Sequence, residues 1–225
     1  MNKCPYNPLV SVIIITYNRG YCLKSAILSV LNQTYNNLEC IIIDNNSIDN
    51  TDEIISSLND QRIKFKKISN KGIIAKSRNE GVKLSQGEII AFLDSDDLWN
   101  KYKIEKCINL FKYDYDLVYH SMEVRKKSTN SKRIMASRIK AINYKKDYFK
   151  WFIKRGNNIT LSSVMVKKSI LENAGLFSEE SKLLGAADYF CWINIALQGG
   201  RFKGLKDTLG TIFLSQDCLT SSNIS

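Results

Sequence analysis

Four short apolar stretches, each followed by a polar turn, organise the first hundred residues of the chain. They cover residues 9–15, 39–43, 63–68 and 89–93. The first is apolar and β-branched, and the fourth is an unbroken apolar run after a glycine. Both patterns are typical of strands buried on the two faces of a parallel sheet. The third stretch alternates apolar residues with lysines, which indicates a half-exposed strand.

Between these stretches, apolar residues recur at helical spacing over residues 23–31, 54–58 and 74–84. We expect Ser47 or Asp49 to cap the second of these helices, and Gly87 to follow the third as its C′ residue. Strand and helix alternate four times. This alternation predicts an α/β fold, with a mostly parallel central sheet flanked by helices and joined by right-handed crossovers.

The second half of the chain has a less regular pattern. It predicts, in order, a helix over 104–111, a strand over 116–120, a loop over 125–133, an aromatic-faced helix over 144–152, a strand over 161–166, a short helix over 169–174 stopped by Gly175, a helix over 185–193 and a strand over 209–214.

Three carboxylates lie directly after the fourth strand: Asp94, Asp96 and Asp97. They would repel one another unless a cation lay among them, and oxygen ligands without nearby nitrogen or sulfur suit Mg²⁺ or Mn²⁺. Because magnesium keeps part of its coordination shell for substrate phosphates, the cluster predicts a metal–phosphate site. The alternative is that the aspartates cap a helix beginning near Trp99. Both interpretations hold together if Asp97 caps the helix while Asp94 and Asp96 face the metal.

The predicted topology brings other polar loops to the same place. Residues 16–19, 44–47 and 94–97 follow parallel strands and therefore share the carboxyl edge of the sheet, where open α/β sheets bind ligands. A crevice there fits a nucleotide, with its base near the first two loops and its diphosphate near the third. The chain contains neither a G-x-G-x-x-G nor a G-x-x-x-x-G-K-[ST] sequence, so a metal ion is the remaining obvious way to neutralise a diphosphate.

Composition narrows the class of protein. With 225 residues, 44% of them hydrophobic, the chain can bury a full core, and no run approaches the ~18 apolar residues of a membrane span. Residues 1–8 lack the apolar core of a secretory signal. None of the six cysteines forms a C-x-x-C pair, and those at positions 22, 40, 107 and 191 lie within apolar patterns that favour reduced, buried thiols. These features predict a cytoplasmic enzyme.

His120 is the only histidine of the chain. A single histidine excludes zinc sites built on two or more histidines. Since no nucleophile motif lies near it, we expect a satisfied histidine at the end of a strand rather than a member of a catalytic triad.

The net charge of +11 is a local feature. Residues 124–155 contain twelve Lys or Arg and one acid, Asp147, so this segment carries the whole excess. Its aromatic residues recur near helical spacing beside lysines (Tyr144, Tyr148, Phe149, Trp151 and Phe152). This pattern is typical of a helix lying on an anionic membrane surface. It is equally typical of a helix packed on the core with a solvated outer face, and the sequence leaves both interpretations open.

Asp188 lies at the start of the helix that Gly185 opens. One interpretation is an N-cap carboxylate. The other is a lone carboxylate delivered to the mouth of an active site as a general base.

Seven stretches of the chain together resemble the family 2 glycosyltransferases, inverting enzymes with the GT-A type fold. They are SVIIITYN at 11–18, IDNNSIDNT at 43–51, NKG at 70–72, RNEG at 78–81, GEIIAFLDSDD at 87–97, AGLF at 174–177 and ADY at 187–189. The resemblance covers the chain to about residue 200. Its specificity comes from the order and spacing of several motifs, since the D-x-D alone is a weak signal.

The resemblance implies roles for residues on the nucleotide side. Thr16, Tyr17 and Asn18 would bind the nucleotide sugar, with Tyr17 packed against the base. Asp44 and Asn45 would lie at the base as well. The family usually has a second Asp at the position of Asn45. Because an amide oxygen also accepts the N3–H of uracil, a UDP-sugar donor still fits. The replacement of Asp by Asn nevertheless favours a dTDP-sugar donor more than the usual pair of aspartates would.

The resemblance also implies the remaining site. Arg78, Ser95 and Asp94 would bind the nucleotide sugar, Asp96 and Asp94 would hold Mn²⁺ or Mg²⁺, and Asp188 would be the catalytic base. The family's usual acidic residue before the base is Ala187 here. No Q-x-x-R-W sequence of the processive synthases occurs, which favours a single transfer.

The resemblance implies one continuous catalytic domain, with residues 1–121 as the nucleotide-sugar half and 122–225 as the acceptor half. Relatives of this size commonly extend lipid-diphosphate-linked glycans in bacterial surface-polysaccharide and O-antigen synthesis. We therefore expect a UDP-hexose donor, a lipid-diphosphate-linked acceptor, a peripheral position on the inner face of the cell membrane through residues 124–155, and no nucleic acid. A metal-dependent nucleotidyltransferase and a non-catalytic module that binds sugar nucleotides or nucleic acid are the alternatives.

Overall fold

A computed structural model describes residues 6–127, 134–144, 147–183 and 185–214 of the chain. Two of the cysteines, at positions 4 and 218, lie outside these residues. So do four cations of the basic segment, at 132, 133, 145 and 146.

The chain alternates strands and helices. The bounds of these elements agree with the predicted pattern most closely in the first hundred residues. The strands are β1 Val10–Thr16, β2 Leu38–Asp44, β3 Ile63–Lys67, β4 Ile89–Asp94, β5 Leu98–Trp99, β6 Leu117–Lys127, β7 Ile134–Ile139, β8 Met165–Lys167 and β9 Phe202–Phe213. The α-helices are α1 Gly20–Leu31, α2 Thr51–Ser56, α3 Ile74–Leu84, α4 Lys103–Ile108, α5 Tyr148–Arg155, α6 Lys168–Asn173 and α7 Ala187–Leu197. Short 3-10 helices cover Asn109–Tyr113, Leu161–Ser163 and Ser181–Leu183.

All the described strands belong to one mixed sheet with the order β3-β2-β1-β4-β8-β6-β9-β5, and β7 pairs with β6. β1 to β4 are parallel to one another, as predicted, and β8 is antiparallel to β4. The strand order reverses at β1, because β2 and β3 extend the sheet on one side and β4 on the other. This reversal makes a switch point, where ligands of open α/β sheets bind.

The sheet has a core on each face, as the unbroken apolar strands predict. Ile13 of β1 and Phe92 of β4 pack on the same face as Trp192 of α7. Their strand neighbours Val12 and Ile14 point to the other face, against α1 and α4. The four cysteines predicted to be reduced, buried thiols are all buried, and none of them forms a disulfide within the described ranges of the chain.

The register of the sheet sets the ends of three strands at one level. Thr16 at the end of β1 pairs with Asp44 at the end of β2, and Ile15 pairs with Asp94 at the end of β4. The predicted convergence of these polar strand ends is therefore confirmed, and it lies at the switch point.

The second half departs from its prediction mainly in strand length. β6 and β9 are about twice as long as expected, because they pair with each other along most of their length. Residues 125–127, expected in a loop, extend β6, which pairs there with β7. Residues 161–163 form a 3-10 helix before the short strand β8.

Gly87 is not the C′ residue of α3, since that helix ends at Leu84 and Ser85 is its C-cap residue. A Cβ at Gly87 would lie 2.6 Å from the carbonyl oxygen of Leu9, and the Gly87 N–H donates to the hydroxyl of Ser11 at 2.8 Å. The glycine is required by close packing against the chain before β1.

His120 lies within β6, not at a strand end, and is buried. Its Nδ1 lies 2.9 Å from the carbonyl oxygen of Ser121, while its Nε2 has no hydrogen-bond partner among the described residues. The expectation of a satisfied histidine is therefore only half correct. Burial lowers the pKa of His120 to about 3, so the ring is neutral.

The aromatic face of α5 packs on the core. Tyr148, Trp151 and Phe152 are buried, and Tyr148 stacks on Phe202 of β9 with ring centroids 4.6 Å apart. The core-packed interpretation therefore accounts for the aromatic part of the pattern. The basic outer face of this helix is still without an assigned role.

Candidate active site

A cleft opens at the carboxyl edge of the sheet and consists of two adjoining cavities. One, of about 510 Å³, lies over β1 and is called the β1 cavity; the other, of about 400 Å³, lies before α7 and is called the α7 cavity. The two cavities share four wall residues: Ile74, Arg78, Asp94 and Asp96. The acidic strand end therefore lies where the two cavities meet.

Two arginines face the two carboxylates at this junction. The guanidinium of Arg19 forms an ion pair with Asp96 through Nη1 and Oδ2. Arg78 Nη2 lies 3.7 Å from Asp94 Oδ1, and the Arg78 guanidinium also lies over the ring of Phe177. Nε of Arg78 is buried without a hydrogen-bond partner among the described residues. The junction thus holds two negative and two positive side chains.

The pKa of Asp94 is raised above its ordinary value. Loss of solvent at the floor of the cleft is the largest cause, and the negative charges of Asp96 and Asp188 add to it. Arg78 and Arg19 act in the opposite direction. Because Asp188 acts on Asp94 electrostatically, the first carboxylate of the acidic turn and the residue predicted as the base belong to one electrostatic site.

Asp97 does not cap a helix. α4 begins at Lys103, and the residues after Asp97 form β5, which pairs with β9. The Asp97 carboxylate is buried and accepts a hydrogen bond from the hydroxyl of Ser162 at 2.5 Å. Burial and the neighbouring Asp94 raise the pKa of Asp97 to about 8. Of the two interpretations of this cluster, capping is therefore wrong for Asp97.

The loop after β1 contributes the walls of the β1 cavity. Thr16 is buried, lines the cavity, and its hydroxyl has no hydrogen-bond partner among the described residues. Tyr17 lines the same cavity and keeps 56% of its surface exposed, which leaves it accessible to a flat ligand. Ser95, from the acidic turn, also lines this cavity.

The loop after β2 is held by its own hydrogen bonds. Asp44 is fully buried, and its carboxylate accepts hydrogen bonds from the backbone N–H and the hydroxyl of Ser47. Its neighbour Asn45 lines the β1 cavity, and Asn45 Oδ1 accepts the N–H of Asn70 at 2.8 Å. Asn45 thus forms the wall, while Asp44 shapes the loop beneath it.

Asn18 joins the first two loops. It has a left-handed backbone, with φ of 50°, and its N–H donates to the hydroxyl of Ser47. Its amide oxygen accepts the N–H of Ile48. Asp49 accepts the N–H groups of Gly20 and Thr51, so it bonds the first residues of α1 and α2.

Asp188 is the second residue of α7 and lines the α7 cavity. Its Oδ1 accepts the backbone N–H of Tyr189 at 2.8 Å, and its Oδ2 accepts Nδ2 of Asn157 at 3.4 Å. Asp188 is not the N-cap residue, a position that Ala186 occupies. Its side chain opens into a cavity that it shares with Asp94 and Asp96, the arrangement that a general base at the mouth of the site requires.

The sequence does not mark Arg19, Asn157 and Thr160, three of the residues that line the cleft or contact its carboxylates, as site residues. The sequence assigns Arg19 only to a polar turn, although its position in the loop after β1, at the carboxyl edge of the sheet, already indicates that it lies near the cleft. Asn157 and Thr160 belong to the segment between α5 and β8, which carries no motif. The hydroxyl of Thr160, in the wall of the α7 cavity, is buried without a hydrogen-bond partner among the described residues.

The donor set at the junction fits a hard divalent cation that shares its coordination with a substrate. Among the described residues, no group of three or more acidic, Cys or His side chains is arranged to hold a metal on its own. Asp94 and Asp96 supply two carboxylates facing the cleft. Magnesium and manganese commonly take one or two carboxylates and complete their coordination with phosphate oxygens and water.

Comparison with known proteins places these features in a family. The model of glycosyl transferase family 2 matches residues 11–173. WfaP of Escherichia coli, a UDP-Glc:alpha-D-GlcNAc-diphosphoundecaprenol beta-1,3-glucosyltransferase, is 31% identical over 202 residues, which are 89% of this chain and 76% of WfaP. Two other curated relatives, an uncharacterized glycosyltransferase of Haemophilus influenzae and WfgD of Escherichia coli, match over 46% of their own length, so this chain spans about half the length of each.

Two solved structures have the same fold. S. aureus TarS 1-349 in complex with UDP-GlcNAc superposes with a TM-score of 0.71 at 22% identity, over 96% of this chain and 62% of that one. Mannosyltransferase PcManGT from Pyrobaculum calidifontis, in complex with GDP-Man and Mn²⁺, superposes with a TM-score of 0.68 at 18% identity, over 94% and 59%. These similarities confirm the GT-A type fold predicted from the sequence, and the chain spans less than two thirds of either solved chain.

Proposed function

The chain belongs to glycosyltransferase family 2, and on this basis we propose that it transfers one sugar from a nucleotide-diphosphate sugar to a hydroxyl of a glycan acceptor, with inversion. The observation that carries the proposal is the junction of the two cavities. Residues from distant parts of the chain, among them Tyr17, Asp96 and Asp188, line one continuous cleft on either side of the acidic turn.

The β1 cavity is the proposed donor site. Tyr17 offers an exposed ring against which a base can pack, and the buried hydroxyl of Thr16 is available for a polar contact. Asn45 lies in the wall at the second strand end, where a uracil or thymine would be read. We propose a UDP-hexose as the first donor to test and a dTDP-sugar as the second.

Charge balance supports a diphosphate at the junction. Asp94 and Asp96 carry two negative charges that one divalent cation would balance, and the diphosphate of a nucleotide sugar adds two more. Arg19 and Arg78 provide two positive charges beside these carboxylates. We therefore propose that both arginines contact the diphosphate, where guanidinium groups are well suited to phosphate oxygens.

Asp96, with Asp94, is proposed to hold Mn²⁺ or Mg²⁺. Such an ion, when bound, supplies positive charge to the leaving diphosphate. PcManGT was solved with GDP-Man and Mn²⁺, which supports this choice of ion.

The chain's own residues then account for the proton transfer. Asp188 accepts the proton of the acceptor hydroxyl as the hydroxyl oxygen bonds to the anomeric carbon. The bond from that carbon to the diphosphate breaks, and the diphosphate leaves with the electron pair. Both Asp188 oxygens already accept an N–H donor, which fixes the orientation of the carboxylate in the cavity. Attack opposite to the leaving group inverts the anomeric centre.

The α7 cavity is the proposed acceptor site. Its wall combines apolar residues from the end of β9 with the polar groups of Thr160 and Glu180, a mixture that suits a sugar ring. WfaP, by its name, acts on a GlcNAc linked to diphosphoundecaprenol. We propose an acceptor of that class, a lipid-diphosphate-linked glycan of surface-polysaccharide or O-antigen synthesis.

We also propose that residues 1–121 contact mainly the donor and residues 122–225 mainly the acceptor, within one catalytic domain. The boundary lies inside β6, so the two halves share a strand of the sheet.

A donor screen tests the proposed function. Purified protein is incubated with UDP- and dTDP-sugars, Mn²⁺ or Mg²⁺, and a GlcNAc-diphosphate-lipid analogue, and nucleoside diphosphate release is measured with the anomeric configuration of the product. We expect one donor to be consumed with inversion. Pyrophosphate release from nucleoside triphosphates would indicate a nucleotidyltransferase instead. Thermal-shift binding of a sugar nucleotide without turnover over the whole panel would indicate a binding module.

Membrane contact is proposed through the basic part of residues 124–155. No helix in the described ranges has both the length and the apolar character needed to cross a bilayer. Lys150 and Lys154 lie exposed on the outer face of α5, and the segment after α5 leads to Asn157 beside Asp188. A basic face of this kind would bring the proposed acceptor site close to anionic lipid on the inner face of the membrane, where each cation contributes about 1 kcal/mol.

Flotation with vesicles containing anionic lipid tests this contact. We expect Lys150→Glu with Lys154→Glu to reduce the bound fraction about tenfold or more, since four units of charge change at the surface. The matched control is Lys24→Glu with Lys83→Glu, exposed lysines of α1 and α3. Equal binding by both variants and the wild type would remove the proposal. Loss of vesicle binding in both the α5 variant and the control variant would indicate that net charge alone attracts the protein to the vesicles. Retention on RNA in place of vesicles would indicate a nucleic-acid partner, which we do not expect.

A further inference from the structure

One buried hydroxyl connects the acidic turn to the segment that precedes β8. Ser162 is buried in the 3-10 turn Leu161–Ser163. Its hydroxyl donates to Asp97 Oδ2 at 2.5 Å and accepts the backbone N–H of Asp94 at 3.1 Å. Its carbonyl oxygen accepts the indole N–H of Trp99 at 2.7 Å. A single residue thus bonds the acidic turn and the strand that follows it.

The segment leading to Ser162 reaches the other functional carboxylate. Asn157, five residues earlier, donates from Nδ2 to Asp188 Oδ2, while its Oδ1 accepts the N–H of Ile159 at 3.0 Å. The latter bond fixes which side of the amide faces Asp188. Thr160, between the two contacts, lines the α7 cavity.

The backbone of this segment has little freedom to adjust. Ile159 and Leu161 are buried, and the turn is closed by the hydrogen bonds of Ser163, whose N–H and hydroxyl both donate to the carbonyl oxygen of Thr160. Residues 157–162 therefore form a short, anchored connection. One end holds Asp188 and the other end holds the turn of Asp94 and Asp97.

We propose that Ser162 is a positioning residue that sets the acidic turn relative to the acceptor wall, so that the donor sugar meets the acceptor hydroxyl in preference to water. The inference rests on the proposed transfer function. Misplacement of reacting groups by about 1 Å can reduce a rate by about 100-fold. The rate of hydrolysis would fall less than the rate of transfer, because an attacking water molecule needs no positioning by the acceptor wall. Loss of the Ser162 hydroxyl should therefore change the partition between transfer and hydrolysis of the nucleotide sugar.

The test compares Ser162→Ala with Ser163→Ala. Ser163 is the next residue of the same turn, equally buried, and its hydroxyl bonds Thr160 and not the acidic turn. The donor is the nucleotide sugar that the wild type consumes. Transfer to the acceptor and hydrolysis without acceptor are measured separately, together with thermal stability. We expect Ser162→Ala to lower the ratio of transfer to hydrolysis about tenfold or more, and Ser163→Ala to leave that ratio within about twofold of the wild type.

A second variant keeps the inference testable if Ser162→Ala folds poorly. Asp97→Ala removes the carboxylate that accepts the hydrogen bond of the Ser162 hydroxyl. We expect this variant also to lower the ratio of transfer to hydrolysis. The double variant should lower it no further than the stronger single variant, because the two residues act through one hydrogen bond.

Failure of the inference and failure of the proposed function give different results. An equal ratio in the wild type and in the Ser162 and Ser163 variants would overturn the positioning role while leaving transfer intact. A wild type that releases no nucleoside diphosphate from any donor would overturn the proposed function itself.

Discussion

Asp188→Asn is expected to lower transfer by about 10²–10⁴-fold, while the affinity for the nucleotide sugar stays within about threefold of the wild type. Asparagine has the size of aspartate and keeps an oxygen that can accept the N–H of Tyr189. It cannot accept a proton from the acceptor hydroxyl. The fall should therefore appear in kcat for transfer, with little change in thermal stability or in donor binding measured by calorimetry.

Glu180→Gln is the matched control for this prediction. Glu180 lines the same α7 cavity, and the substitution also replaces a carboxylate by an amide of equal size. The Glu180 carboxylate accepts no hydrogen bond from the part of the chain that the structure describes, unlike that of Asp188. We therefore expect Glu180→Gln to reduce transfer less than about tenfold. A large loss with Glu180→Gln beside an active Asp188→Asn would assign the base to Glu180.

The sequence is sufficient to predict the side of the cleft over β1, which is the proposed donor site. There the apolar strands are short and unbroken, and each polar strand end follows directly from the strand pattern. Parallel strands have only one carboxyl edge, so the sequence alone predicts that Thr16, Asn45 and Asp94 lie close together. The register of β1 with β2 and β4 confirms this convergence.

The side of the cleft before α7, which is the proposed acceptor site, is harder to predict for two physical reasons. The long pairing of β6 with β9 joins residues about 90 positions apart, and local periodicity carries no information on such pairing. Asn157 and Ser162 contact carboxylates far away in the sequence, and Thr160 lines the α7 cavity, so the places of all three depend on tertiary distances. No spacing in the chain marks them.

The basic segment shows how one pattern can have two causes. The aromatic spacing of α5 is explained by the core, where Trp151 and Phe152 pack beside Phe202. The lysines on the outer face of α5 do not pack on the core, so core packing does not explain them. Only the charged half of the pattern therefore supports the proposed membrane contact.

The second large effect is expected at Asp96. Asp96→Ala removes a carboxylate from the junction of the two cavities, the proposed direct ligand of the metal ion. We expect the affinity for Mn²⁺ in the presence of the nucleoside diphosphate to fall about 100-fold, and transfer to fall by a similar or larger factor. Binding of Mn²⁺ is measured by electron paramagnetic resonance or calorimetry, so the prediction does not depend on activity alone.

The control for Asp96→Ala is Asp52→Ala. Asp52 is an exposed aspartate whose carboxylate pairs with Lys67 at 2.5 Å, as Asp96 pairs with Arg19, but it lies on α2 outside the cleft. The control should bind Mn²⁺ and transfer sugar as the wild type does, since an exposed ion pair contributes at most about 1 kcal/mol.

Loss of Arg19's partner adds a second expectation for Asp96→Ala. The Arg19 guanidinium becomes available to the diphosphate, so the nucleotide without metal should bind to this variant at least as tightly as to the wild type. Undiminished Mn²⁺ binding by Asp96→Ala would place the metal elsewhere in the cleft, whereas lost metal binding with full transfer would mean that Arg19 and Arg78 alone neutralise the leaving group.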